Sequence, residues 1–328
     1  MAELGMSPNQ QDHGPPYVPM NATPGQHPNV RQDVAASAVF LFLYIVSAVC
    51  HQATFQTNRR KGHKFLMSWA MFGFAMARFG TLIFRIAWAC RPYNGSVALT
   101  ATIFVFLGVL VIYCVVLLLS VRTLRARQPT FGWNPWLDNF IKANYWALLV
   151  VVLVVIPFGI LSGYTKDEEL LNACAWIEKV GVLYFFLLNL IAPVLYFLAL
   201  FMPRPKDVPP ENFGTGSMRA KLIILGVVLF FTVFISGFRF GVAWSPYRPL
   251  SDPAWYDSRA AFYIIELGFE LVITFTLIFT RFDRRFWIPN GSKQPGDYSR
   301  IDPDGKEHAQ IHLQHQQEKS GAQAEETS

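Results

Sequence analysis

The sequence has little charge, few cysteines and no lysine well inside its long apolar segments. Charged residues make up 15% of the 328 residues and hydrophobic residues 52%, whereas a typical soluble domain is about 25% charged. The charges are confined to short segments between apolar runs, which excludes an ordinary soluble domain. A retinal protein needs a Schiff-base lysine inside an apolar run, so that class is also excluded.

The absence of other sequence features excludes further classes of membrane protein. His51 is the only histidine that touches an apolar run, and it lies near the end of that run. An intramembrane zinc hydrolase needs several His or carboxylate ligands at one depth, and no such cluster occurs. No glycine-rich phosphate-binding loop is present either, which argues against an ATP-driven pump. We therefore expect a protein without enzymatic activity, cofactor or bound metal.

Seven apolar runs are long enough to cross a bilayer. A helix rises 1.5 Å per residue and needs about 20 residues to span the roughly 30 Å of hydrocarbon. The sequence therefore predicts an all-α integral membrane protein built as a seven-transmembrane-helix bundle. Its predicted spans are residues 34–55, 65–89, 97–121, 143–164, 180–202, 222–244 and 260–280.

Lysine and arginine are concentrated on one side of the predicted spans, in residues 59–64, 122–142, 204–221 and 281–285. Cytoplasmic loops carry such an excess, so the pattern places the N-terminus outside and the C-terminus in the cytoplasm. The net charge of +6 then reflects topology, and no nucleic-acid partner is expected. We expect a multi-pass protein of the plasma membrane or another membrane of the secretory pathway.

The two ends of the chain are polar and lack an apolar core. Residues 1–33 are expected to be a disordered extracytoplasmic tail, and residues 281–328 a mostly disordered cytoplasmic tail. Residues 34–280 form the transmembrane domain between them. Membrane lipids are the expected partners of that domain. The inner loops and the C-terminal tail are the surface expected to meet a cytosolic signalling partner.

Two cysteines and one asparagine are candidates for covalent modification. Cys90 and Cys174 both lie on the predicted outer, oxidising side, which favours a disulfide between them. Two unpaired thiols are the alternative. Cys50 and Cys114 lie within predicted spans, where small apolar packing is the ordinary role of cysteine. Asn21 begins an Asn-Ala-Thr sequon in the N-terminal tail and is a candidate glycosylation site.

Five charged residues lie within the predicted spans: Arg78, Arg85, Arg239, Glu266 and Glu270. A charge at the centre of a bilayer costs at least about 2.5 kcal/mol, so these side chains must face the interior of the bundle and pair. The two arginines of span two are seven residues apart and the two glutamates of span seven are four apart. Each pair therefore lies on one face of its helix.

The positions along the spans predict two layers of charge. Arg78 and Glu270 lie near the middle of the membrane, and Arg85, Arg239 and Glu266 lie nearer the outer end. Asn189 in span five is at the depth of the lower layer, where it either joins the polar network or forms a helix-packing hydrogen bond.

Two roles remain open for this network. In the first, three arginines against two glutamates leave positive charge that binds an anionic headgroup or ligand through guanidinium groups. In the second, the network only sets the order of the helices. Two functional classes fit the first role, a receptor or sensor and a translocator of lipids or other amphiphiles that uses the charged layers as a polar track.

Several short segments resemble known fungal proteins. The run from Arg85 to Asn94, Gly108, the segment Arg122-Thr-Leu-Arg125-Ala and the pair Gly132-Trp133 resemble a fungal family of seven-helix membrane proteins of unknown function. Its members are labelled family C-like G-protein-coupled receptors. The resemblance covers residues 34–290 and implies a receptor-like or sensory protein, which is the prediction we favour.

A fainter resemblance supports the second class. The pattern Phe262-Tyr263-x-x-Glu266 is similar to one in the fungal lipid-translocating exporters of the RTA type. It implies movement of a lipid or amphiphile across the membrane.

Overall fold

The computed structural model describes residues 14–18, 21–203 and 211–299. Seven of its helices are long and apolar enough to cross a membrane, which confirms the predicted all-helical protein with seven candidate spans. We number them α1 to α7. They are Val30–Arg60, Leu66–Cys90, Gly95–Arg127, Pro135–Ser162, Glu168–Phe201, Met218–Trp244 and Arg259–Phe279. Four-residue helices at Pro129–Gly132 and Phe282–Arg285 adjoin them.

Polar side chains mark the beginnings of most of these helices. An oxygen at the helix start accepts a backbone N–H that the helix itself leaves without a partner. Asn94, for example, accepts from the backbone N–H of Val97 at the start of α3. With 33 residues, α3 is about 50 Å long, so its ends project beyond the hydrocarbon layer. Side chains cap the other starts at Asn29, Asn134, Asp167, Ser217 and Ser258.

The helices pack as a closed bundle with α3 inside it. Helix α1 packs against α2 and α7, and α3 packs against α2, α5 and α6. Of the seven spans, α3 is the most buried and α4 the least. Helix α4 lies at the periphery, where it packs mainly on α5 and leaves Trp146, Val150 and Leu153 exposed on its outer side. Apolar side chains in these positions match a hydrocarbon solvent.

The two ends of the bundle differ in what covers them. We call the end where α1 begins the N-face and the opposite end the C-face. On the N-face, the chain before α1 is ordered and joins the loop between α6 and α7. The N–H of Ala22 donates to the carbonyl of Arg248, and the N–H of Gly25 donates to that of Asp257. The predicted disordered tail of residues 1–33 is therefore wrong for residues 21–33. Residues 1–13 and 19–20 lie outside the described part.

On the C-face, the chain after α7 folds back against the loop before α6. The carboxylate of Glu211 accepts the backbone N–H groups of Gly296 and Tyr298. Burial raises the pKa of the Glu211 carboxyl, although these two donors act in the opposite direction. Tyr298 is 1% exposed and packs against Phe213 and Trp133. Residues 281–299 are thus ordered, and the remainder of the predicted C-terminal tail lies outside the described residues.

The ordered C-terminal segment predicts a stabilising role for Tyr298. Removing a fully buried aromatic ring costs roughly 3 to 5 kcal/mol. We expect Tyr298→Ala to lower the thermal unfolding midpoint of the purified protein in detergent by several degrees. Tyr247→Ala is the matched control, because Tyr247 is 59% exposed. Equal midpoints for the two variants would show that the segment does not stabilise the bundle.

Candidate functional site

The structure brings all five sequence-predicted charges into the buried interior of the bundle. Arg78 and Arg85 lie on α2, Arg239 on α6, and Glu266 and Glu270 on α7, and none is more than 9% exposed. Together with Asp33 on α1 they form three ion pairs, which differ in how completely their hydrogen bonds are made.

The pair of Arg78 and Glu270 is fully buried and joined by two hydrogen bonds. Nε and Nη2 of Arg78 each donate to a different oxygen of Glu270 at 2.5 Å, and both side chains are 0% exposed. Nη1 donates to the carbonyl of Val105 on α3 at 2.9 Å. The hydroxyl of Tyr44 on α1 donates to the carbonyl of Leu267 and to Glu270. Four helices therefore meet at this pair.

Gly108 explains how α3 comes so close to the Arg78 guanidinium. A Cβ atom added at Gly108 would lie 3.0 Å from Cζ of Arg78, which is closer than real Cβ contacts normally come. The absence of a side chain at Gly108 leaves room for the guanidinium beside α3.

Arg85 pairs with Asp33, a residue that the sequence pattern places in the disordered tail. Nη2 of Arg85 donates to Oδ1 of Asp33 at 2.7 Å and to the carbonyl of Gly25 at 2.6 Å. Arg259, at the start of α7, donates to Oδ2 of Asp33 at 2.9 Å, and the hydroxyl of Tyr263 also lies within hydrogen-bond distance of Asp33. The Asp33 side chain is 0% exposed.

Asp33 adds a carboxylate that the charge balance expected from sequence left out. It lies with Glu266 and Glu270 opposite Arg78, Arg85 and Arg239, but it also pairs with the less buried Arg259, so four arginines face three carboxylates. A signal for Asp33 was present in the sequence. It is an acidic residue immediately before the first apolar run, at the same end of the bundle as Arg85, and it follows the helix cap Asn29.

The third pair, Arg239 and Glu266, is the least satisfied. Nη2 of Arg239 lies 3.4 Å from Oε2 of Glu266 and 4.0 Å from Oε1 of Glu270. Neither Nε nor Nη2 of Arg239 makes a hydrogen bond to a protein atom, and Oε2 of Glu266 also has none. The one hydrogen bond of the guanidinium runs from Nη1 to the carbonyl of Val105 at 3.2 Å.

An irregular turn of α7 carries Glu266. Residues Phe262–Gly268 are π-helical, whereas Phe269–Phe279 form a regular α-helix. In a π-helical stretch each backbone hydrogen bond spans five residues instead of four, and such stretches are rare and often occur at functional sites. The irregular turn and the incompletely bonded ion pair therefore coincide in one element.

Asn189 lies apart from the ion pairs. Its side-chain N–H group on α5 donates to the carbonyl of Thr232 and to the hydroxyl of Ser236, both on α6. This is a helix-packing role, and its Oδ1 atom has no hydrogen-bond partner in the protein. In the described part of the chain, no three His, Cys, Asp or Glu side chains are grouped closely enough to hold a metal ion.

The structure contradicts the predicted disulfide. Cys90 is exposed at the end of α2, Cys174 is buried in α5, and both are free thiols. The glycosylation candidate Asn21 is exposed on the N-face, but the hydroxyl oxygen of Thr23 in the same sequon is buried.

Comparison of the chain with protein-family models, curated proteins and solved structures finds no match.

The free thiols predict unequal reactivity. In a variant with Cys50 and Cys114 replaced by alanine, we expect a fluorescent maleimide to label Cys90 in the folded protein without reductant. Cys174 is 0% exposed and should react only after unfolding. Peptide mapping distinguishes the two positions. Labelling of Cys90 that requires prior reduction would instead establish the disulfide.

The buried ion pair predicts that the stability of the bundle depends strongly on both Arg78 and Glu270. Glu270→Gln leaves the Arg78 charge without a counter-ion, which costs about 3 to 5 kcal/mol for a buried pair. We expect a large fall in the thermal unfolding midpoint in detergent. The double variant Arg78→Met with Glu270→Leu removes both charges and should recover much of the loss. A single variant as stable as the wild type would contradict the pairing.

Proposed function

We propose that this protein is a seven-helix membrane receptor or sensor whose movable part is the N-face half of α7. The observation that carries the proposal is the incompletely bonded pair of Arg239 and Glu266, next to the fully bonded pair of Arg78 and Glu270. A buried charged group without its hydrogen bonds raises the energy of the arrangement that contains it. A second arrangement of similar energy is then accessible.

The π-helical turn supplies the movement. Conversion of Phe262–Gly268 to a regular α-helix would rotate the turn that carries Tyr263 and Glu266 relative to Glu270. Tyr263 contacts Arg85 and the Asp33 region, and Glu266 faces Arg239. One local change would therefore alter contacts to α1, α2 and α6 together. A ligand that binds one arrangement better shifts the population toward it.

The C-face has a basic surface on which a cytosolic signalling partner would bind. Arg59 and Arg60 at the end of α1 and Lys61 and Lys64 in the loop between α1 and α2 are exposed. These side chains would attract an acidic surface on a cytosolic partner, with the positive-inside pattern placing the C-face in the cytoplasm. The resemblance to fungal seven-helix proteins labelled as receptors supports the same class.

A fluorine label on α7 tests for two arrangements. Ile264 is 58% exposed within the π-helical turn, so Ile264→Cys can carry a trifluoromethyl tag in a variant whose four native cysteines are replaced. We expect two ¹⁹F resonances in nanodiscs, with populations that change in Glu266→Gln. Glu169→Gln is the control, because Glu169 is an exposed glutamate near the same face. One resonance, unchanged by both substitutions, would indicate a rigid structural network.

Lipid translocation is the second candidate function. The observation that favours it is a crevice between α3, α5 and α6 that leads from exposed Phe106 to buried Arg239. The ion pair of Arg78 and Glu270 argues against translocation. Both oxygens of Glu270 accept hydrogen bonds from Arg78, so this pair blocks a path through the middle of the bundle.

A translocation assay separates the two candidates. We expect the purified protein in proteoliposomes not to accelerate the movement of fluorescent lipids between leaflets. If the wild type does accelerate it, and if folded Arg78→Ala and Glu270→Ala variants do not, the protein is a translocator with a charged track. That result would contradict the receptor proposal.

A further inference from the structure

A basic patch lies on the C-face where the start of α6 meets the end of α7. Its members are Arg219 in the first turn of α6 and Arg281 and Arg284 just after α7, and all three side chains are exposed. The two segments are in contact, because the backbone N–H of Thr215 donates to the carbonyl of Arg284 at 3.0 Å. We call these three residues the arginine patch.

The arginine patch has little negative charge near it. Residues 211–222 and 275–290 contain five cationic side chains and two carboxylates. Both carboxylates, Glu211 and Asp283, are buried and already accept hydrogen bonds from the protein. Asp283 pairs with Arg281, but the side chains of the other two arginines form no ion pair or hydrogen bond with any residue that the structure describes. Their charge is therefore left for a partner outside the bundle.

Two members of the patch occupy positions that other residues would fill at lower cost. The first turn of α6 contains Arg219 and no acidic residue, although the start of a helix carries partial positive charge and favours an anion. Arg281 has a φ of 51°, in the left-handed region that glycine usually occupies after a helix. Membrane topology requires basic residues on this side, but not at these two positions. Their placement therefore indicates a role beyond topology.

Lipid-facing side chains lie directly beside the patch. Ile223 is 67% exposed, and it lies four residues after Arg219 on the same face of α6. Phe279 ends α7, is 79% exposed and precedes Arg281 by two residues. Apolar side chains this exposed on a membrane-spanning helix face hydrocarbon. The arginine patch thus lies at the boundary between hydrocarbon and water, which is the depth of lipid phosphate groups.

We propose that the arginine patch binds the phosphate group of an anionic phospholipid, whose acyl chains lie against Ile223 and Phe279. A guanidinium group is planar and donates two parallel hydrogen bonds to phosphate oxygens. The positive-inside pattern assigns the C-face to the cytoplasm, and the cytoplasmic leaflet is the one that carries anionic lipids. The exposed apolar neighbours favour a lipid over an acidic protein surface. This site does not depend on the proposed receptor function.

Quenching by brominated lipids tests the site. A full-length variant with its four native cysteines replaced carries a bimane at Val227→Cys, which is lipid-facing on α6 one turn from Ile223. Each basic residue at the membrane surface is worth about a factor of five in affinity for anionic lipid. In phosphatidylcholine nanodiscs, we therefore expect brominated phosphatidylserine to quench the bimane at a mole fraction about tenfold lower than brominated phosphatidylcholine requires.

A label on α4 is the matched control for the position of the site. Leu149 is 48% exposed and lies at a similar distance from the C-face end of its predicted span. The nearby Lys142 is already paired with Asp138. The two brominated lipids should therefore quench a bimane at Leu149→Cys equally.

Substitutions in the patch separate binding from folding. Arg219→Gln and Arg281→Gly should each lower the preference for phosphatidylserine at Val227→Cys about fivefold. Arg281→Gly should also leave the thermal unfolding midpoint unchanged or raise it, because glycine fits the left-handed conformation. Lys142→Gln is the control substitution and should leave the lipid preference unchanged.

The remaining outcomes overturn the proposal. Equal quenching by the two lipids at Val227→Cys would leave the patch to an acidic protein, and an equal preference at Leu149→Cys would show a diffuse attraction without a site. Soluble glycerophosphoserine should not compete at the concentration of the lipid headgroup. If it abolishes the preference, the patch binds phosphate without a membrane. If Arg281→Gly lowers the unfolding midpoint, Arg281 is structural, and an unchanged lipid preference in Arg219→Gln would then reject the site.

Discussion

The bundle depends on one constraint, which is that every charge within the membrane must meet an opposite charge. The pair of Arg78 and Glu270 satisfies that constraint most completely, with two hydrogen bonds between fully buried side chains. It joins α2 to α7, which are far apart in the chain, and a further bond to Val105 adds α3. The pair therefore selects which helices are neighbours, because any other order would leave a buried charge alone at a cost of several kcal/mol.

The ion pairs between the middle of the bundle and the N-face differ in how completely they are hydrogen-bonded. The central pair has its hydrogen bonds, and Arg85 is held by Asp33, Gly25 and Tyr263. Between them, Arg239 and Glu266 are close without forming a hydrogen bond. Only this third pair lies where a π-helical turn leaves the backbone with an alternative geometry. A fully bonded central layer beside a less completely bonded one is compatible with the sensor proposed above, in which the fold would survive while one part moves.

Asp33 connects this network to the chain outside the apolar runs. It accepts hydrogen bonds from Arg85 and Arg259, which lie on helices α2 and α7. The ordered segment before α1 reaches the loop between α6 and α7 through Ala22 and Gly25. A change in the conformation of α7 would therefore alter contacts at the N-face surface as well as in the interior. Hydrogen bonds, unlike lipid contacts, give this coupling a direction and a fixed geometry.

The sequence by itself determined the number of spans and placed five of the buried charges inside them. Both follow from local properties, because apolar length sets whether a helix crosses the bilayer and a charge in such a run must turn inward. Tertiary structure decided which side chains pair with one another. Asp33 was assigned to a tail because its burial depends on Arg85 and Arg259 from distant helices. Cys90 and Cys174 were expected to pair because both lie on one side, but one thiol is exposed, the other is buried, and both are free. The π-helical turn and the free donors of Arg239 depend on how α3, α6 and α7 meet, which no single segment encodes.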